Sequence, residues 1–215
     1  MNRFENRREA GRLLADKLLE YKSMKDLMVL GLPRGGVPVA FEIGQKLEVS
    51  LDVLIVRKLG LPYNPEVAFG AIASGGIKII NHDMVRRANL TEEAIERVFE
   101  KEQKELAKRQ EKYGSSLLED DLKEKTIILV DDGMATGATM QVAIKGLKGA
   151  GVKSLIVAVG TAPPDTLREI ESMVDEAISL LGPKPFFGVG TWYKDFSQTT
   201  DQEVRDLLER TKDDN

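Results

Sequence analysis

Cysteine is absent from the chain, which excludes disulfides, thiolate metal sites and a cysteine nucleophile. Histidine occurs once, as His82 between a short apolar run and Asp83, so metal centres built from several imidazoles are excluded as well. No apolar run approaches the roughly 18 residues of a membrane span. The start, MNRFENRREAGRLLADKLLEYK, is charged and amphipathic where a secretory leader would be apolar. Basic excess is missing too. The net charge is −4, although 31% of residues are charged, so no broad nucleic-acid surface is expected. Nor is there a G-x-x-x-x-G-K-[ST] stretch or a complete dinucleotide fingerprint, since Gly188-Val189-Gly190 lacks a third glycine in a strand–helix setting. A soluble, cytoplasmic protein is the default expectation, and the 42% hydrophobic residues are enough for one sizeable core.

The core is legible as unbroken aliphatic runs, the mark of parallel strands covered on both faces. Such runs occupy Leu27–Gly31, Ile127–Val130 and Leu155–Gly160, while Leu51–Val56 reads as a second strand and Glu176–Leu180 as the last parallel one. Between them, helical periodicity predicts helices over Asn6–Tyr21, Val37–Leu47, Gly137–Ala150 and Pro163–Met173. Phe69–Ala73 and Ile77–Ile80 read as short strands. Leu59–Val67, with its Gly, Asn and two Pro, reads as a loop long enough to move. Thr91 caps a long charged helix to Tyr113, whose thin apolar stripe is Ile95, Val98, Phe99 and Leu106; it lies over one side of the domain or faces a partner. A capping box at Thr200–Glu203 opens a C-terminal helix. Alternating strands and helices give an α/β fold with a mostly parallel open sheet flanked by helices. The whole of 1–215 reads as one domain, with a helical insertion over 81–120 and a C-terminal loop and helix over 181–215.

Within this frame, Thr126–Met140 (TIILVDDGMATGATM) concentrates the chemistry. Asp131 and Asp132 follow a buried strand, where open α/β sheets bind ligands. Ionised carboxylates only accept hydrogen bonds, so the vicinal hydroxyls of a sugar suit them. Ala135-Thr136-Gly137-Ala138-Thr139 opens the next helix and offers N–H groups, hydroxyls and a positive dipole end to a phosphate. Further upstream, Leu32-Pro33-Arg34-Gly35-Gly36 combines glycines that admit a ligand to the backbone with a forked cation. The basic pair Arg57-Lys58 is expected at a strand end. Phe187, Val189 and Trp192 lie in an aromatic, glycine-rich loop after the last strand; their rings suit either stacking on a heterocycle or a place in the core or a subunit interface.

The stretch 127–140 resembles the phosphoribosyl diphosphate (PRPP) signature of type I phosphoribosyltransferases. Leu32–Gly36 resembles the diphosphate loop of that family, and Arg57-Lys58 the basic pair before the catalytic loop of its adenine and orotate members. The resemblance spans about residues 25–195. Phe4-x-x-Arg7-x-x-Ala10-Gly11 and Trp192-Tyr193-x-Asp195-Phe196 are similar to a bacterial group of predicted phosphoribosyltransferases of unassigned substrate. It implies PRPP and a small nitrogenous base as ligands, with Mg2+ as cofactor. Asp131, Asp132, Ala135 to Thr139, Arg34, Gly35 and Gly36 would bind PRPP. Lys58, Arg57 and Asp132 would act in catalysis. The metal would be held at Asp131 and Asp132 through water, and Phe187, Val189 and Trp192 would bind the base. Terminal and inserted segments would form a small hood. Family enzymes are often homodimers, and neither nucleic acid nor membrane is an implied partner. Hypoxanthine-guanine enzymes place an acid immediately before the Thr-Gly; Ala135 stands there and resembles the adenine type instead. A non-catalytic PRPP or nucleotide sensor on the same fold is the second reading.

Overall fold

The computed structural model describes residues 3–213. Helix α1 (Arg7–Lys17) starts where the Asn6 side chain accepts the Glu9 N–H, and a 3-10 turn follows to Ser23 in place of a helix running on to Tyr21. Strand β1 (Leu27–Gly31) leads into α2 (Gly36–Leu47), and β2 (Leu51–Val53) follows. Then come β3 (Val56–Leu61), β4 (Asn64–Ala73), β5 (Ile77–Ile80), α3 (His82–Arg87) and α4 (Glu92–Tyr113). The remainder alternates: β6 (Thr126–Asp131), α5 (Ala138–Gly149), β7 (Ser154–Thr161), α6 (Pro164–Glu171), β8 (Glu176–Leu181) and α7 (Asp201–Asp213).

Five strands form a parallel sheet in the order β2-β1-β6-β7-β8. In register, Leu27 pairs with Thr126 and Gly31 with Val130, while Ile127 pairs with Leu155. Alternate side chains enter two cores. Val29, Ile128, Val130 and Ile156 pack with Leu14, Val39 and Leu207 of α1, α2 and α7. Leu30, Ile127, Leu129 and Val157 pack with Ile144, Leu147 and Ile170 of α5 and α6. Burial on both faces explains why these strands lack alternation. No helix among the described residues is long and apolar enough to cross a membrane.

The middle segment corrects two expectations. Leu51–Val56 is not one strand: β2 stops at Val53, and the chain enters a separate antiparallel sheet, β3-β4-β5. Ser74 satisfies the backbone at the break, its hydroxyl accepting from the Ile55 N–H at 3.0 Å and donating to the Val53 carbonyl at 3.2 Å. Leu59–Val67 is a hairpin rather than a loop. Its strands absorb the glycine through register shifts around Gly60, which lies so close to Pro65 that a Cβ would sit 2.5 Å from the Pro65 carbonyl oxygen. The expected strand end at Arg57-Lys58 therefore falls inside β3. Helix α4 lies against β3, β4 and α7, burying Leu106 and Tyr113 and half-burying Ile95, Val98 and Phe99.

Candidate functional site

Strand order places the site. From β1 the chain winds outward to β2, and from β6 it winds the other way through β7 to β8. The switch point lies between β1 and β6, where the crevice beyond the strand ends binds ligands in open α/β sheets. Its two lips are Leu32–Gly36 and Asp131–Thr139. They touch: a Cβ on Gly35 would lie 2.1 Å from Asp132 Oδ2, and one on Gly36 would lie 2.6 Å from the Val130 carbonyl oxygen. The Leu32 N–H also donates to that carbonyl at 2.9 Å. Only glycine allows this approach, so two motifs nearly a hundred residues apart form one surface. The Pro33–Arg34 peptide bond is cis.

Asp131 Oδ1 accepts the Asp132 N–H at 2.8 Å, and its carboxylate is half-buried. Burial first, and the neighbouring Asp132 charge second, raise the Asp131 carboxyl well above its ordinary range. Burial also raises Asp132, against the pull of Arg7, whose Nε donates to Asp132 Oδ2 at 2.7 Å. After the acids, the Met134 N–H donates to the Thr161 carbonyl and the Thr166 hydroxyl to the Ala135 carbonyl, at 3.0 and 2.8 Å. Gly137 then takes φ +70° to cap α5, a left-handed conformation that a side chain would strain. Ala135, Thr136, Ala138 and Thr139 are exposed at this helix start, as an anion site requires.

The remaining groups divide. Arg34 lies on the first lip, its Nη1 3.7 Å from Asp201 Oδ1. Arg57 is engaged elsewhere, donating from Nε and Nη2 to Glu102 Oε2 of α4 at 2.9 and 2.5 Å. Lys58 is exposed on β3. Both line a cleft of about 400 Å³ against Lys101 and Glu102, which Asp131–Thr139 does not line. Phe187 is 74% exposed. Val189 is half-buried against the start of the Gly133–Thr139 segment, where a Cβ on Gly133 would meet its Cγ1 at 2.7 Å. Trp192 requires correction: it is a core residue, buried with Phe4, Ala10 and Tyr193, and presents no face for stacking.

Three residues were not among the expected site groups. Arg7 holds Asp132, donates from Nη1 to the Ser197 carbonyl at 2.7 Å, and lies 3.9 Å over the Phe196 ring. The buried Tyr193 hydroxyl donates to the Asp132 carbonyl at 2.5 Å. Phe4 fastens the two ends together, its N–H donating to the Trp192 carbonyl and its own carbonyl accepting from Lys194. Phe4, Arg7 and Tyr193 all stand in the two terminal patterns noted above, but no spacing within either pattern shows that Arg7 and Tyr193 meet at Asp132.

An open parallel sheet with paired acids and an anion-suited helix start at its switch point defines an α/β protein of the ligand-binding, switch-point class. Residues 4–195 match the family described as "Phosphoribosyl transferase domain". Two Mycobacterium tuberculosis proteins, of strains CDC 1551 / Oshkosh and ATCC 25618 / H37Rv, are each named "Putative phosphoribosyl transferase". Each is 42% identical over 210 residues, 98% of this chain and 47% of the relative. The chain thus spans about half the length of these curated relatives. The crystal structure of TT1426 from Thermus thermophilus superposes with a TM-score of 0.82 at 37% identity, covering 97% of this chain and 98% of that one. The chain belongs to the phosphoribosyltransferase family and has its type I fold.

Proposed function

We propose that the protein transfers the 5-phosphoribosyl group of PRPP to a nitrogen of a purine-like or pyrimidine-like base, releasing diphosphate. One observation carries this reading: the acid pair with its phosphate loop and the Arg34-Gly35-Gly36 loop form the two lips of a single switch-point crevice. PRPP has matching parts in matching order, a 5′-phosphate, vicinal hydroxyls and a diphosphate on C1.

In this assignment Ala135 to Thr139 take the 5′-phosphate, and Asp131 accepts from a ribose hydroxyl. Asp132 contributes through whichever lone pairs Arg7 leaves open. Gly35 and Gly36 bring backbone to the diphosphate, and Arg34 offsets its charge. The bond from C1 to the diphosphate oxygen breaks, a bond from C1 to the base nitrogen forms, and the base gives up its N–H proton. Positive charge develops at the ribose carbon, as in glycoside hydrolysis, and the fixed carboxylates favour it. Among the described residues no group of three or more His, Asp or Glu side chains is placed to hold a metal. The adjacent carboxylates of Asp131 and Asp132 fit Mg2+, which rests on one or two carboxylates, waters and substrate phosphates. Asp131 and Asp132 would hold it through water, and it would neutralise charge on the departing diphosphate. Lys58 on the β3–β4 hairpin is assigned to the diphosphate once the hairpin closes, with Arg57 joining only if it leaves Glu102. Phe187 is the ring available to a base.

The test is diphosphate release from PRPP and Mg2+ across a panel of purine and pyrimidine bases. Release that depends on one base supports transfer, and Lys58→Ala should abolish it. Saturable PRPP binding with no release from any base would replace transfer by the sensor reading.

A further inference from the structure

Asp201, the first residue of α7, gathers donors from two distant segments. Its Oδ2 accepts from Lys112 Nζ at 2.6 Å. Its Oδ1 accepts from the Tyr113 hydroxyl at 2.9 Å and lies 3.7 Å from Arg34 Nη1. Lys112 and Tyr113 end α4, whereas Arg34 belongs to the lip immediately before Gly35 and Gly36. The carboxylate is therefore hydrogen-bonded by one cation and one hydroxyl, and a second cation, Arg34, lies within ion-pair distance of the oxygen opposite Lys112. One anion does not neutralise two cations, and the charged groups are open to water, with side-chain exposures of 36% for Arg34, 60% for Lys112 and 29% for Asp201, while Tyr113 is buried behind them. Oxygens sharing one central atom, met by several N–H and O–H donors, are as well supplied by a phosphate as by a carboxylate.

A purely architectural role covers part of this. A lysine in the last turn of a helix suits its negative end, and an acid in the first turn suits the positive end. Neither preference requires the two helix ends to meet at the one cation of the diphosphate lip. An exposed ion pair is also weak cement between helices.

We propose that Lys112 is a ligand of the diphosphate, forming with Arg34 the outer wall of its site, and that Asp201, backed by the buried Tyr113 hydroxyl, pairs with these cations and is displaced when the diphosphate enters. The proposal rests on the PRPP reading above. It gives the long charged helix, which a minimal domain does not need, a direct part in binding. The ligand class is a diphosphate or a diphosphate ester, free or carried on a sugar.

Calorimetric titration of the full chain with inorganic diphosphate, and separately with ribose 5-phosphate, in Mg2+ provides the test. Lys112→Ala should weaken diphosphate binding roughly three- to tenfold and leave ribose 5-phosphate unchanged. Lys108→Ala, which removes the same charge from an exposed i,i+3 pair on the same helix, should change neither. Asp201→Asn should tighten diphosphate binding, because the competing anion is gone. Equal diphosphate affinity in wild type and Lys112→Ala, or an equal loss in Lys108→Ala, would overturn the assignment of Lys112. Unchanged or weaker binding in Asp201→Asn would overturn the displacement. If wild type binds neither ligand, the PRPP reading itself fails and this proposal with it. If wild type binds both and Lys112→Ala matches it, only this proposal fails.

Discussion

Gly35→Ala should be among the most damaging single-methyl additions in the chain, although the backbone there welcomes alanine. Gly35 has φ −62° and ψ −32°, an ordinary helical conformation, so Ala on its own would help by about 0.4–1 kcal/mol. The obstacle is Asp132. The new Cβ would lie 2.1 Å from Oδ2 and 2.7 Å from Cγ, so the carboxylate must move by roughly 1 Å, an overpacking cost of about 1–3 kcal/mol. Moving it breaks the 2.7 Å bond from Arg7, in which both side chains are only 12% exposed. A hydrogen bond between charged groups is worth about 1.5–3 kcal/mol. The net loss is about 1.5–5.5 kcal/mol, which for a chain of this size lowers Tm by about 3–22 °C. Thermal unfolding of wild type, Gly35→Ala, Asp132→Ala and the double variant gives the answer. Without the carboxylate the alanine has room, so in the Asp132→Ala background its cost should fall below about 0.5 kcal/mol. A full cost in that background, or no cost in the wild type, would refute the contact between the two lips.

Asp131→Asn should stabilise the protein at neutral pH. Burial raises the Asp131 carboxyl well above its ordinary 3.8, so the folded chain holds that proton more tightly than the unfolded one. The contribution of such a group is fully present below 3.8 and is lost as pH rises through the raised value. The Tm gain of Asp131→Asn should therefore be largest near pH 8 and vanish toward pH 4; a pH-independent difference would remove the buried charge from the account. Phe187→Ala should change stability by less than about 0.5 kcal/mol while raising KM for the base. Trp192→Ala should cost about 3–5 kcal/mol, because that ring is in the core. Denaturant unfolding alongside steady-state kinetics separates the two rings, and equal stability losses would contradict their placement.

What is legible in the sequence is what is local. The central strands β1, β6 and β7 leave aliphatic runs because both faces are buried, whereas β8 is half-buried and carries Glu176 and Ser179, and Ala135–Thr139 and Gly35-Gly36 are contiguous motifs. The hairpin is hidden because Gly60, Pro62, Asn64 and Pro65 carry loop punctuation, while the register shifts that accommodate Gly60 depend on its partner strand. The break between β2 and β3 is invisible in LDVLIV, since the residue that satisfies it, Ser74, lies 19 residues on from Ile55. Arg7 and Asp132 are 125 positions apart, and no periodicity links them. The aromatic loop reads in sequence as either core or ligand site, and the structure divides it, Trp192 inward and Phe187 outward.

The central claim is that the crevice between β1 and β6 holds PRPP with its ribose on Asp131. It is tested most directly by calorimetric titration of Mg2+-PRPP into wild type and Asp131→Asn at pH 8. Saturable binding by wild type is expected, together with its loss in a variant that melts at a higher temperature, so that the lost binding cannot be ascribed to a damaged fold. Equal binding by the two proteins, or none by wild type, would contradict the claim.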